Sequence, residues 1–398
     1  MKSNGSSAWV VHKFGGTSVH DAACFRKVAD IIETQPSQKV AVVLSACKGV
    51  TDVLLGLVIM AEKQDSAVSA QLQALRERHR LIAETLLDAA GAARWLVQFD
   101  QDRANLEGVL HTTSLMRSAA QNVRDLVAGY GELWSTTLFN SYLAARRKGA
   151  TSVRWLDARQ VVVVEWASLG PAVQWDASRA RLAESGAADF NGTLIIPGFV
   201  ARTPQGVQTT LGRNGSDFSA SIFGALLDAS EIHIWTDVDG VLSADPRRVP
   251  NAQVIDQLSY SEAMELAYFG AKVIHPQTMA PAIGRSIPIY IRNTFAPDNP
   301  CTLICAKPAS ELLVKGITTI EDVALVNIEG AGMIGVPGTA HRLFGALREE
   351  GISVILISQG SSEHSICCAI PASEAERAER VVRAAFSREL DEGQIQSV

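Results

Sequence analysis

Residues 9–45 read WVVHKFGGTSVHDAACFRKVADIIETQPSQKVAVVLS. The apolar run Trp9 to Phe14 leads into the turn Gly15-Gly16-Thr17, then a helical pattern over Ala22 to Thr34 and a second apolar run, Val40 to Ser45. Strand, glycine turn, helix and strand in that order predict a βαβ unit and hence a parallel sheet. Outward from it, residues 61–149 carry helical spacing and good helix formers, with Gly149 as a helix stop. Strand patterns return at Val153 to Trp155, Thr193 to Pro197, Ile232 to Thr236 and Ile287 to Ile291, separated by helical stretches such as Phe218 to Leu227 and Ser261 to Phe269. The body reads as an α/β sandwich with a mostly parallel sheet, placed at residues 1–294.

The stretch TFAPDNPCTLICAKP (294–308), where Pro, Asp and Asn cluster, breaks this alternation, and a linker is expected at 295–314. Beyond it, Val323 to Ile328, Thr339 to Glu350, Ile352 to Ser358, Ser365 to Ile370 and Ala372 to Phe386 give the order βαββα within a unit at 315–398. A ferredoxin-like fold needs one more strand, and the end DEGQIQSV is too polar to supply it, so the unit is expected to be incomplete and to pair with another chain.

The 398 residues hold 36 Lys and Arg against 42 Asp and Glu, a net charge of −6, which gives no electrostatic reason to expect nucleic acid or an anionic membrane as partner. The most apolar stretch, Val53 to Ala61, is too short to span a bilayer. The opening MKSNGSSAWVV has no secretory pattern, so a cytoplasmic location is expected. Six cysteines without paired CxxC spacing point to reduced thiols rather than disulfides or zinc. His12, His233 and His275 sit in or beside apolar strands, where core or edge hydrogen bonding is the expected role, and no HxxxH or HExxH pair offers a metal site.

Three turns carry the chemistry. Phosphate binding needs close backbone N–H groups, a cation and a helix N-terminus, and Lys13-Phe14-Gly15-Gly16-Thr17-Ser18 offers these without a P-loop. The turn Leu211-Gly212-Arg213-Asn214-Gly215-Ser216-Asp217 adds an arginine able to fork onto a carboxylate and an aspartate able to orient a lysine. The third, Trp235-Thr236-Asp237-Val238-Asp239-Gly240 with Asp245-Pro246-Arg247 behind it, lies at the C-terminal end of a strand, where α/β sheets bind ligands. Gly330 to Gly335 also matches GxGxxG, but no carboxylate follows the next strand and too little chain remains for a dinucleotide domain. It is read instead as a small-ligand turn.

In this order, KFGGTS (13–18), LSACKGVTD (44–52), YGELWS (130–135), LGRNGSDFSA (211–220), WTDVDGVLSADPR (235–247) and FGAKVIHP (269–276) resemble the aspartate kinase family over nearly the whole chain. The resemblance implies an amino-acid-kinase fold, a C-terminal ACT unit, and phosphoryl transfer from ATP, with Mg²⁺ on its phosphates, to the side-chain carboxylate of L-aspartate. It assigns Lys13 to the phosphates and Asp217 to orienting Lys13. Arg213 and Glu132 would take the substrate α-carboxylate and ammonium, with Ser45, Thr51, Gly215 and Ser216 in the same pocket. Gly15, Gly16, Thr236, Asp237, Arg247 and Lys272 would serve the nucleotide. Asp52 and Leu242 depart from the usual pattern. Without the YGE context Glu132 would read as a solvated helical carboxylate, and that context favours the substrate role.

In the late unit, N–H groups around Gly332 and Met333, with Gln359 nearby, are expected to take an end-product amino acid. The segment SQGSSEHS (358–365) resembles threonine-regulated relatives fused to homoserine dehydrogenase, which favours threonine over lysine. Relatives insert a second ACT unit where this chain ends, so the chain is expected to stop just before it and to form a homodimer through this lobe.

Overall fold

The computed structural model describes residues 8–35, 37–147, 152–167, 170–268, 275–309, 312–360 and 364–398. The chain divides into two units, Met1–Thr318 and Thr319–Val398. In the first, β1 (Val10–Phe14), α1 (Ala22–Glu33) and β2 (Val40–Leu44) precede the helices α2 (Val50–Glu62), α3 (Val68–Leu86), α4 (Ala89–Met116) and α5 (Gln121–Arg146). Next come β3 (Val153–Trp155), α6 (Ala158–Val161), β4 (Val164–Ala167), β5 (Gly170–Val173), α7 (Trp175–Glu184), β6 (Thr193–Pro197), β7 (Val200–Arg202) and β8 (Gln208–Thr210). The unit continues with α8 (Gly215–Leu226), β9 (Glu231–Thr236), β10 (Gln257–Ser259), α9 (Tyr260–Tyr268), α10 (Pro276–Ile283), β11 (Ile289–Asn293) and β12 (Thr302–Cys305). The expected helix stop at Gly149 lies outside the described residues.

One eight-stranded sheet organises this unit, in the order β10-β12-β11-β9-β1-β2-β6-β3. Its pairs are parallel except β11 with β12. β1 and β2 are buried along their whole length, as a parallel sheet covered on both faces requires. Strand alternation divides the side chains: Val11, Val43 and Ile234 pack with Ile222 and Phe223 of α8, while Phe14, Leu44 and Trp235 pack with Phe25 of α1 and Leu54 of α2. Lys13 pairs in register with Val43 and Ile234 and so shares their face, the one α8 covers.

The expected linker is not structureless. Thr302 to Cys305 form β12, which enters the large sheet between β10 and β11. Four residues are too few for a period to show, and the flanking Pro and Asn masked them.

The second unit holds β13 (Val323–Glu329), α11 (Thr339–Glu349), β14 (Leu356–Gln359), β15 (Ser365–Pro371), α12 (Ala375–Ala385) and α13 (Ser387–Asp391). Its antiparallel sheet runs β13-β15-β14, with Leu343, Leu347, Ala378 and Val382 of the helices packed on Val326, Ile328, Ile366 and Ile370. The terminal residues correct the expectation that they play no part in the sheet. Ile395 is buried in this core, and Gln396 N–H donates to Glu329 O (2.7 Å) while Glu329 N–H donates to Ser397 O (3.1 Å). A single bridge therefore occupies the Glu329 end of the β13 edge. One isoleucine anchors the tail, and a polar surround leaves no alternation to read.

Among the described residues no helix is long and apolar enough to cross a membrane, and all six cysteines are unpaired.

Candidate functional site

The loops after β1, β2, β6 and β9 converge on a cleft of about 950 Å³, the position where parallel α/β sheets place ligands. The first glycine turn is tightly held. A Cβ on Gly16 would lie 3.0 Å from Ala46 O, and Lys48 N–H donates to Gly16 O (3.1 Å). Glycine is needed here for close approach rather than for a left-handed backbone.

Lys13, at the end of β1, is 9% exposed, and its Nζ lies 2.5 Å from Asp217 Oδ1 on α8. A Cβ on Gly15 would be 3.5 Å from that Nζ, which places the ammonium beside the turn. The turn before α8 reverses through left-handed Gly212 (φ +71°) and Asn214 (φ +55°). It packs against Phe199 so closely that a Cβ on Gly215 would meet Phe199 Cδ2 at 2.6 Å. Arg213 projects from this turn into the cleft and forms no ion pair with a described carboxylate.

Glu132 is a strongly perturbed group. Helix α5 reaches the β2–α2 loop because residue 131 is glycine: a Cβ there would sit 2.7 Å from Ala46 Cβ. Ser135 fastens the approach by donating its hydroxyl to Ser45 O (2.7 Å). Glu132 is consequently 3% exposed, not solvated. Burial raises its carboxyl to about 8, against a smaller opposing pull from the Ala46 N–H. Its Oε2 has no hydrogen-bond partner among the described residues. A buried acid with an unused oxygen facing a cleft is suited to a ligand cation, which would ionise it and supply the missing bond.

Ser45, Thr51, Glu132, Arg213, Gly215, Ser216, Gly16, Thr236 and Asp237 thus line one cleft, with the Lys13–Asp217 pair beside them. Arg247 is not among its lining residues; it forks onto Asp245, two residues away, at 2.7 Å. Lys272 lies outside the described residues. The histidines take packing roles: His12 stacks on His233 at 4.7 Å and accepts from Trp235 Nε1 (3.0 Å), and His275 caps α10. Cys47 lines the cleft, but burial pushes its thiol up to about 12, so it is no nucleophile at neutral pH. No group of three His, Cys, Asp or Glu able to hold a metal occurs among the described residues.

Lining residues to which the sequence reading gave no role include Lys48, Arg124, Asp125 and Phe199. Asp125 accepts from Thr209 (2.8 Å) and Gln121 (2.8 Å), tying α5 to β8. Phe199 adopts φ +66°, a strained position for an aromatic residue and typical of functional sites. Its local sequence carries no site motif, and its neighbour in space is Gly215, in the turn before α8.

In the second unit the donors expected to be free are in use. Gly330 N–H goes to His364 O (3.0 Å), Gly332 N–H to Gln394 O (3.0 Å) and Met333 N–H to Gly330 O (3.2 Å). Met333 is buried, Gln359 is exposed on β14, and residues 361–363 of the SQGSSEHS segment lie outside the described residues. The tail thus occupies the turn from which an effector carboxylate was expected to hang.

The glycine turns, the lysine–aspartate pair and the doubly covered parallel sheet define a class: the chain belongs to the amino acid kinase family, which matches residues 8–293. Residues 326–386 match an ACT domain. Relatives aligning along nearly the whole chain include aspartokinases. The chloroplastic bifunctional aspartokinase/homoserine dehydrogenase 2 of Arabidopsis thaliana is 42% identical over 397 residues, covering 98% of this chain and 43% of the relative. The lysine-sensitive aspartokinase 3 of Escherichia coli K12 is 33% identical over 367 residues, covering 90% and 77%. The crystal structure of E. coli aspartokinase III in complex with aspartate and ADP has a TM-score of 0.71 at 26% identity, covering 95% of this chain and all of that one. The chain spans less than half the length of the plant relative.

Proposed function

We propose that the chain transfers the terminal phosphoryl group of ATP to the side-chain carboxylate of L-aspartate, giving 4-phospho-L-aspartate on the route to lysine, threonine and methionine. The observation that carries this reading is the unpartnered Glu132 Oε2 in a cleft shared with the free guanidinium of Arg213. Together they suit the ammonium and carboxylate of an α-amino acid. The E. coli neighbour solved with aspartate and ADP supports the choice of ligands.

The acceptor carboxylate, with a pKa near 3.9, is already ionised at neutral pH, so no general base is required. One of its oxygens bonds to the γ-phosphorus as the bond to the β,γ-bridging oxygen breaks, and ADP leaves. Arg213 clamps the α-carboxylate, Glu132 takes the ammonium, and Ser45, Thr51, Gly215 and Ser216 shape the pocket. Lys13, held by Asp217, neutralises the migrating group, while Gly15, Gly16, Thr236 and Asp237 bound the nucleotide side. A magnesium ion bound with the nucleotide would add positive charge against the migrating phosphoryl group, beside Lys13. ATP-dependent hydroxamate formation, with aspartate, glutamate and N-acetylglutamate offered in parallel, tests the reading. Product with aspartate supports it; product only with another acceptor makes the chain a different small-carboxylate kinase, and no product with any makes it an amino-acid sensor.

The same proposal includes feedback by an end-product amino acid on the second unit, threonine before lysine, although the E. coli relative is named lysine-sensitive. An effector at Gly332 has to displace Gln394 O. Titrating both amino acids against activity and melting temperature separates them. A homodimer through this unit is supported by apolar side chains left uncovered on its sheet, Leu325 (70% exposed) and Leu356 (48%). Six unpaired cysteines suit a reducing compartment such as the cytoplasm; the plant relative is named chloroplastic.

A further inference from the structure

A second cleft of about 430 Å³ lies in the first unit between α1, the ends of β9 and β11, and residues 294–298. Its wall carries two cations without carboxylate partners. The Arg292 guanidinium stacks over the Trp235 ring at 5.0 Å, and its buried Nε has no hydrogen-bond partner among the described residues. The Lys27 ammonium lies 5.3 Å from the centroid of Phe295, a ring that is 42% exposed. Neither cation forms an ion pair with a described carboxylate. Of the two acids in the lining, Asp30 is already held by Arg146 at 2.6 Å, which leaves only Asp298, exposed on the outer loop, to oppose them.

We propose that this cleft binds a small molecule that joins an oxyanion, carboxylate or phosphate, to a flat apolar group. The oxyanion takes the open Nε of Arg292 and the Lys27 ammonium, and the flat group lies along Phe295. A buried donor left open is destabilising, and a charge-assisted bond to an anion removes that cost. The volume falls within the usual range for small-ligand pockets. The cleft also sits directly behind the main site. Thr294 N–H donates to Thr236 O (2.9 Å), and the Thr294 hydroxyl shares a 2.7 Å hydrogen bond with Ser18 in the first glycine turn. An occupant therefore bears on both turns through one residue. The existence of the site does not depend on the reaction proposed for the main cleft.

Calorimetric titration of the full chain with phenyl phosphate and with benzoate tests this, the two probes distinguishing a phosphate from a carboxylate ligand. At least one should bind saturably and weaken as salt is added. Lys27→Gln, on an exposed helical position, and Arg292→Gln should each lower affinity about tenfold. Lys13→Met should leave binding unchanged, because that lysine belongs to the main cleft. If Arg292→Gln does not fold, Lys27→Gln and Phe295→Ala decide the matter. Absence of saturable binding by both probes, wild-type affinity in Lys27→Gln, or loss of binding in Lys13→Met would overturn the proposal.

Discussion

Replacing Glu132 by Gln separates two effects that the buried carboxyl combines. Burial raises it from 4.5 to about 8. An acid raised in this way contributes its stability fully below the unfolded value, near 4.5, and loses it as pH climbs toward 8. From 4.5 to pH 7 the loss accumulates to about 3 kcal/mol, at 1.36 kcal/mol per pH unit. Gln resembles the neutral acid in size and cannot ionise, so E132Q should match wild type near pH 4.5 and exceed it by about 3 kcal/mol at pH 7. For a unit of 318 residues that is about 5 °C in Tm, at roughly 2.1 cal/mol/K per residue. Aspartate binding should move the opposite way. Wild type must shed about 0.9 proton at pH 7 when the substrate ammonium enters, so its affinity rises almost tenfold per pH unit and levels off above 8. E132Q should bind weakly and release no proton. Melting curves across pH 5 to 9, with calorimetry in two buffers of different ionisation enthalpy, measure both quantities. An unchanged Tm at pH 7, or wild-type aspartate affinity and proton release in the variant, would refute the reasoning.

Lys13→Met should lower turnover by about 10² to 10³, the effect of losing one transition-state donor, as measured by coupled ADP release. Arg213→Lys turns a forked contact into a single one, so KM for aspartate should rise while KM for ATP holds; equal changes in both would move Arg213 to the nucleotide side. His79, buried among Trp95, Phe99 and Trp134, is lowered by burial to about 4. Its stability contribution is complete above 6.5 and is lost as pH falls toward 4, about 3 kcal/mol in all; His79→Phe should flatten that acid loss in urea titrations at pH 4 and 7. Leu325→Asp, on the open face of the second unit, should shift light-scattering mass from dimer to monomer with the fold intact by circular dichroism.

The start of the fold was legible because residues 9–45 state it locally: two apolar runs, a glycine pair and a helical period. The turn at 212–217 was legible for the same reason, since Gly, Asn and Asp advertise a turn whatever surrounds it. What stayed hidden depended on partners remote in sequence. Glu132 looks like any helical carboxylate until Gly131 is seen to admit Ala46. Phe199 becomes a site residue only because the turn before α8 closes on it. For Arg247 the contact is local: its exposed guanidinium folds back onto Asp245, a surface pairing that a nucleotide phosphate could replace. The strand at 302–305 and the tail at 395–397 were too short to carry a period.

Strand β1 lies between β2 and β9, so residues 10–14 pair on one side with residues 40–44 and on the other with 231–235. During synthesis the second partner arrives about 190 residues after the first, roughly 10 to 40 s later at 5–20 residues per second. Throughout that interval the chain presents VVHKF as an apolar edge with open backbone donors and acceptors. The first strand made is thus enclosed only after more than half of the chain has been synthesised. Ribosome-bound chains shorter than about 236 residues should need a chaperone, and fragments ending before β9 should aggregate however well their helices form.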